Sequence, residues 1–215
     1  MALSSSSHVV VLGGTSGIGQ AVARAAAAAG ARVSVGGRSS DRPVDVTSSA
    51  SLAAFFAAAG PFDHLVYTAG DALARGPLTD YRPQLARDFF GVRLFSALDA
   101  VRLALPTLSP TGSVTLTSGA AAFHGGPGRL LGSTVSGAVI TAARSLAVEL
   151  APIRVNVVAP GIVRTPLWAG APEDVLASAA QPDDVAKAYL AFLEQDHVTG
   201  NVAVVDGGSS LGAQA

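Results

Sequence analysis

The sequence contains no cysteine, and only 13% of its residues are charged. Without cysteine the protein has neither a disulfide framework nor a thiolate metal site, and we predict no bound metal. The 13 arginines and one lysine are scattered, and the formal net charge is −1, so nothing predicts a nucleic-acid partner. No uncharged apolar run approaches the ~20 residues that span a bilayer. The amino-terminal segment lacks the basic region of a signal peptide, so we predict a cytoplasmic protein without a membrane partner.

What the sequence does contain is a regular alternation of β-branched runs and alanine-rich segments of helical length. Several runs are continuously apolar, which is typical of parallel strands covered on both faces. Apolar stripes predict long helices over 80–105 and 134–150, closed by Pro106 and Pro152. We therefore predict one α/β domain over residues 1–215, with a Rossmann-type, doubly wound, seven-stranded and mostly parallel sheet between two helical layers. The predicted strands are His8–Leu12, Arg32–Gly36, Val44–Val46, His64–Thr68, Ser113–Thr117, Arg154–Val158 and Val202–Val205.

The segment VVVLGGTSGIGQAVARAAAAAGARV places four glycines between an apolar strand and a helix. Glycine permits a tight turn and lets the backbone approach a pyrophosphate without a Cβ in the way. The N–H groups at the start of the helix carry a partial positive charge that suits phosphate. This context predicts a dinucleotide-binding loop. Its residues are Gly13, Thr15, Ser16, Gly17, Ile18 and Gly19.

The spacing of this loop resembles the T-G-x-x-x-G-I-G motif of the short-chain dehydrogenases/reductases, with Gly14 one step past the first glycine. The resemblance continues in order along nearly the whole chain, through GGR, DVT, YTAG, SVTLTSGAA, IRVNVVAPGIVRTPL and VTGNVAVVDGG. It implies an oxidoreductase with a nicotinamide cofactor and a small-molecule substrate, assembled as a homodimer or homotetramer through the two long helices. It further implies that the cofactor is lined by Asp45, Val46, Thr68, Ala69, Gly70, Pro160, Gly161, Val163 and Thr165.

The end of the second predicted strand bears on which nicotinamide cofactor is used. An NAD site usually has a carboxylate there to hold the ribose 2′-hydroxyl, whereas here Gly37 stands at that position and is followed by Arg38 and Ser39. An arginine fork suits a 2′-phosphate, so we predict NADP(H); a solvated surface arginine is the alternative. Segment 38–45 contains Pro43 and is too short for a helix, which predicts a bare loop and a more open adenine side.

The resemblance breaks down at the residues on which catalysis in this family rests. The family uses a serine that orients the carbonyl, a tyrosine that donates the proton, a lysine four residues later and an asparagine on the preceding helix. Ser118 matches the serine. The residues at the tyrosine, lysine and asparagine positions are Gly132, Ser136 and Phe90. The single lysine, Lys187, is two residues from Tyr189 on a predicted helix, so the two point apart and cannot supply the pair.

His124, in the glycine-rich segment FHGGPGR, is the remaining candidate proton donor, because an imidazole ordinarily titrates near pH ~6.5. An exposed loop histidine is the alternative. Arg129 could bind an acidic group of the substrate or lie at the surface. Segment 167–180, which includes Trp168, resembles the family's substrate lid and is short, which predicts an open pocket.

Three functions remain open at this point. The leading hypothesis is an NADPH-dependent reductase of a carbonyl, enone, quinone or imine, in which Ser118 polarises the acceptor and His124 or water delivers the proton. The second is a catalytically inactive NADP(H)-binding sensor or partner subunit, which the missing tyrosine and lysine favour. The third is an enzyme that uses the pocket for non-redox chemistry such as dehydration or cyclisation.

Overall fold

A single parallel sheet organises the computed structural model, which describes residues 2–70 and 72–212. Its six strands are β1 His8–Leu12, β2 Arg32–Gly36, β3 Phe62–Tyr67, β4 Leu108–Thr117, β5 Arg154–Pro160 and β6 Val202–Val205. They lie in the order β2-β1-β3-β4-β5-β6, and every neighbouring pair is parallel. The prediction of a Rossmann-type α/β fold is confirmed.

The predicted strand Val44–Val46 does not form, so the prediction of seven strands was wrong. Only an isolated bridge joins Gly37 to Pro43, and the Val44 N–H donates to the Gly37 carbonyl at 3.0 Å. A crossover between parallel strands needs about a dozen residues, and segment 38–45 is shorter than that. The segment has no helix, as predicted, and β2 is therefore an edge of the sheet.

Helices cover both faces of the sheet. Successive side chains of β1 point to opposite faces, since Val9 and Val11 enter one apolar cluster while Val10 and Leu12 enter the other. Burial on both faces explains why the strand is apolar throughout. The cluster around Val9 is covered by α1 (Gly17–Ala28) and α7 (Pro182–Glu194), and the cluster around Val10 by α2 (Ser49–Ala59), α4 (Ser96–Ala104) and α5 (Leu130–Glu149).

The helix predicted over 80–105 is divided into parts. α3 (Pro83–Phe90) is followed by a π-helical turn, Gly91–Phe95, and then by α4. The fully buried Tyr67, at the end of β3, donates a hydrogen bond of 2.6 Å from its hydroxyl to the Val92 carbonyl inside this turn. Such π-turns frequently occur at functional sites, and this one carries Arg93.

α5 begins at Leu130 rather than at 134, and it ends at Glu149, before Pro152. By length and composition alone it is apolar enough to cross a membrane. Its buried residues Val139, Ile140 and Ala143 belong to the core cluster on the sheet, so packing inside the fold accounts for the apolar face that these residues form.

Candidate functional site

A cleft of about 950 Å³ lies at the carboxyl ends of the strands. β2 lies beside one edge of β1 and β3 lies beside the other edge. The direction in which successive strands are added to the sheet therefore reverses at β1. In open parallel sheets, ligands bind outside the carboxyl ends of the strands at such a reversal. Loops after five successive strands line the cleft, through Gly13, Gly37, Thr68, Ser118 and Gly161.

The structure brings nearly all of the predicted site residues together in this cleft. They are Gly13, Thr15, Ser16, Gly17, Ile18, Gly19, Arg38, Asp45, Val46, Thr68, Ala69, Gly70, Ser118, His124, Pro160, Gly161, Val163 and Thr165. Ser39 is not among the lining residues and is exposed in the turn that follows Arg38. That turn is held by Ser40, whose hydroxyl donates to the Gly37 carbonyl at 2.8 Å.

The glycine-rich turn after β1 packs directly on the loop after β3. Gly13 has a φ of 83°, and a Cβ there would lie 2.6 Å from the Ala69 nitrogen. A Cβ at Gly19 would overlap the Gly13 carbonyl oxygen and the Thr68 hydroxyl oxygen. Both positions therefore require glycine. Gly17 and Gly19, at the amino end of α1, line the cleft where N–H groups suit phosphate, so this turn fits the diphosphate of a dinucleotide.

The far end of the cleft, beyond β2, contains one carboxylate and one guanidinium. The Asp45 carboxylate accepts hydrogen bonds from the Thr47 hydroxyl and amide at 2.7 and 2.9 Å. These bonds, with a smaller contribution from Arg38, lower the pKa of Asp45. Arg38 is exposed and forms no ion pair with any residue that the structure describes. A Cβ at Gly37 would lie 2.9 Å from the Thr15 side chain, so an acidic side chain has no room there.

Sequence relatives and structural neighbours identify the family. A family model described as enoyl-(acyl carrier protein) reductase matches residues 13–210. The short-chain dehydrogenase/reductase malC of Malbranchea aurantiaca is 32% identical over 250 residues, which cover 95% of this chain and 94% of that protein. The chain belongs to the short-chain dehydrogenase/reductase superfamily.

Solved structures of the superfamily superpose closely on this fold. A small-chain dehydrogenase in complex with NADPH gives a TM-score of 0.89 at 31% identity, with 95% of this chain and 99% of that chain covered. The MalC reductase/Diels-Alderase from Malbranchea aurantiaca gives a TM-score of 0.86 at 28% identity, with 95% and 96% covered.

At the position of the superfamily serine, Ser118 follows β4 and its hydroxyl donates to the Ser136 carbonyl at 2.8 Å. Gly132 and Ser136, which the sequence motif predicts at the superfamily tyrosine and lysine positions, both line the cleft from α5. A Cβ at Gly132 would meet no heavy atom within 4 Å, so the space beside it is open. Phe90, at the asparagine position, is half-buried at the end of α3 and does not line the cleft.

No tyrosine or lysine is found among the described residues that line the cleft. Lys187 is exposed on α7 and donates to the Asp184 carboxylate at 2.8 Å. Tyr189 is fully buried, with its hydroxyl 2.6 Å from the Thr117 hydroxyl oxygen, and burial raises the pKa of this phenol. Both side chains therefore lie outside the site, one at the surface and one in the core.

His124 is half-buried in the wall of the cleft, in the loop between β4 and α5. Its Nδ1 atom is buried and has no hydrogen-bond partner among the described residues. Buried ring nitrogens are normally satisfied, so the unpartnered Nδ1 makes His124 a candidate for contact with a bound group. Within residues 2–70 and 72–212, no three His, Asp or Glu side chains are grouped to hold a metal ion.

The sequence pattern did not reveal Arg93. One of its guanidinium nitrogens would lie 2.6 Å from a Cβ at Gly70, and another donates to the Ala72 carbonyl at 2.9 Å. The guanidinium carbon also lies 4.5 Å from the ring centroid of Phe89. In the sequence, Arg93 could have been found from its position four residues after Phe89, on the apolar face of a predicted helix.

Arg75, also missed in the sequence, meets Trp168 at the edge of the cleft. The Arg75 guanidinium carbon lies 4.7 Å from the Trp168 ring centroid. Trp168 lies in the 3₁₀ turn Pro166–Trp168, inside the segment predicted as a lid. Arg164, which precedes this segment, holds the α6 helix (Glu173–Ala177) within it, since its guanidinium donates to the Glu173 carboxylate at 2.8 Å and to the Leu176 carbonyl at 3.0 Å.

Proposed function

We propose that the protein is an NADPH-dependent reductase of a carbonyl, enone, quinone or imine, with an active site that differs from that of its superfamily. The observation that carries the proposal is that the glycine turn, Arg38 and Ser118 line one continuous cleft. The NADPH-bound relative of nearly the same fold supports it. When bound, the dihydronicotinamide supplies a hydride to the acceptor.

Ser118 and His124 take the roles of orienting and protonating the acceptor. The Ser118 hydroxyl has one proton to donate, and rotation about its side chain exchanges the Ser136 carbonyl for the oxygen of a bound acceptor. His124 lines the same cleft and delivers the proton. The open space beside Gly132 admits water or part of the acceptor where the superfamily has its tyrosine.

The sizes of the individual contributions to the rate indicate that reduction survives without the tyrosine and lysine. A positioned general acid contributes ~10²–10⁴-fold to rate. Holding the reactants in attack geometry supplies ~7–11 kcal/mol, and the cleft retains the residues for that task. Reduction without the tyrosine is therefore slower and best suited to acceptors that need little acid, such as an iminium, a quinone or an activated enone.

The test of this function is consumption of NADPH with a panel of ketones, quinones, enones and iminium compounds, with Ser118→Ala alongside. We expect turnover with the activated acceptors, reduced in Ser118→Ala. Tight NADPH binding without consumption on any acceptor would contradict the proposal and favour the inactive sensor or partner subunit. Conversion of a substrate without net NADPH loss would favour non-redox cyclisation, which the name of the MalC relative makes a specific alternative.

Arg38 should determine the preference for NADPH over NADH. We expect Arg38→Met to weaken NADPH binding roughly tenfold to a hundredfold, because a charge-assisted hydrogen bond is worth ~1.5–3 kcal/mol, and to leave NADH binding unchanged. Dissociation constants from cofactor fluorescence measure both. The matched control is Arg42→Met in the same loop, whose guanidinium donates to the Ala58 carbonyl. An equal loss for the two cofactors would show that Arg38 does not read the 2′-phosphate.

We also propose that the protein works in the cytoplasm as a homodimer or homotetramer assembled through α4 and α5. Phe95, next to α4, is 59% exposed, and Val148, on α5, is 81% exposed. An interface over these helices would remove both apolar side chains from water.

A further inference from the structure

Two arginines at the substrate end of the cleft have no anionic partner among the residues that the structure describes. Arg75 and Arg129 both line the cleft. Neither forms an ion pair with any residue in 2–70 or 72–212. The only carboxylate among the described lining residues is Asp45, which lies near Arg38 at the opposite end. The substrate end therefore presents two positive charges that no described carboxylate neutralises.

The loops that carry these arginines are joined to each other. The Gly76 N–H, next to Arg75, donates to the carbonyl of Gly128, next to Arg129, at 3.1 Å. Gly128 has a φ of 72°, and a Cβ there would lie 3.4 Å from the Gly76 nitrogen, so glycine permits this close approach. One arginine follows β3 and the other follows β4, and the hydrogen bond brings them to the same part of the cleft.

Trp168 supports the Arg75 guanidinium without using its hydrogen-bonding capacity. The contact of 4.7 Å is made with the face of the indole ring. Guanidinium N–H donors match the two oxygens of a carboxylate or phosphate, and a cation–π contact leaves the positive charge of Arg75 without a counter-ion.

We propose that Arg75 and Arg129 bind an acidic group, a carboxylate or a phosphate, carried by the acceptor. The substrate class is then an anionic carbonyl, enone or iminium compound, and this inference rests on the proposed reductase function. Binding energy from an acidic group remote from the reacting carbon positions the acceptor beside Ser118, which lowers the demand on the proton donor.

Turnover of matched acceptors tests the substrate class. We expect kcat/KM for 4-carboxybenzaldehyde to exceed that for methyl 4-formylbenzoate by roughly tenfold or more, the effect of one charge-assisted hydrogen bond. 4-Formylphenyl phosphate distinguishes phosphate from carboxylate as the preferred group. In the double variant Arg75→Met/Arg129→Met the ratio of kcat/KM for the acid to kcat/KM for the ester should fall to about one. Arg144→Met, an exposed arginine on α5 outside the cleft lining, is the control. Equal turnover of acid and ester, or a preference that survives the double variant, would overturn the proposal.

A binding experiment separates this proposal from the reductase function. Trp168 is the only tryptophan in the chain and it contacts Arg75, so its fluorescence reports on this site without turnover. We expect a saturable change with 4-(hydroxymethyl)benzoate, none with its methyl ester, and at least roughly tenfold weaker binding in Arg129→Met, which leaves the Arg75–Trp168 contact in place. If the acid saturates the fluorescence change but no acceptor is reduced, the proposed anion site is retained and the proposed reductase function is refuted. Saturation by neither compound would refute the anion site.

Discussion

Replacing Gly19 by alanine is expected to abolish measurable NADPH binding. The added Cβ would overlap the Gly13 carbonyl oxygen and the Thr68 hydroxyl oxygen, so the glycine turn would have to move. The turn has little freedom, because Gly13 has a φ of 83° and packs on the backbone of Ala69. Forcing one extra carbon into a filled space costs ~1–3 kcal/mol in stability, and displacement of the phosphate-facing amides adds a direct loss of affinity. Cofactor fluorescence measures the affinity and thermal unfolding without cofactor measures the stability.

The control for this variant is Gly137→Ala. Gly137 is also helical, in α5, but a Cβ there would meet no heavy atom within 4 Å. Alanine in a helix interior is favoured over glycine by ~0.5–1 kcal/mol, so this variant should be as stable as the parent or more so, with unchanged NADPH affinity. If Gly19→Ala binds NADPH as tightly as the parent protein, the diphosphate does not lie on this turn.

Replacing His124 by glutamine should slow the reduction of acceptors that need a proton and leave the reduction of the others nearly unchanged. Reduction of a ketone forms an alcohol by uptake of a hydride and a proton, whereas reduction of an iminium ion forms a neutral amine by uptake of the hydride alone. We expect His124→Gln to lower kcat for ketones by ~10²–10⁴-fold and to leave kcat for iminium compounds nearly unchanged. NADPH affinity should not change, because only the proton donor is removed.

His197→Gln is the matched control, since His197 is exposed and does not line the cleft. Steady-state kinetics with one ketone and one iminium compound measure the difference. Equal losses with both acceptors would show that His124 maintains the shape of the cleft and does not deliver the proton.

The β-strands show which parts of the fold local sequence can predict. The continuous apolar run of β1 was recognisable because both of its faces are buried. Val44–Val46 has the same β-branched character, yet it does not form a strand. A strand also needs a partner and a crossover of sufficient length, and these depend on chain connectivity more than on residue type. The π-helical turn Gly91–Phe95 was missed for a related reason, because its Val92 carbonyl is satisfied by Tyr67 from a distant strand.

The sequence by itself determined the glycine-rich turn after β1, because only glycine tolerates the backbone of Gly13 and the close packing at Gly19. It also predicted that the tyrosine and lysine expected near Ser118 are replaced, because the chain has a single lysine at position 187. Only the tertiary structure decided which arginines face the cleft. Arg75 and Arg129 are far apart in sequence and come together because parallel strands place their carboxyl-terminal loops at one edge of the sheet, where the Gly76–Gly128 hydrogen bond joins them.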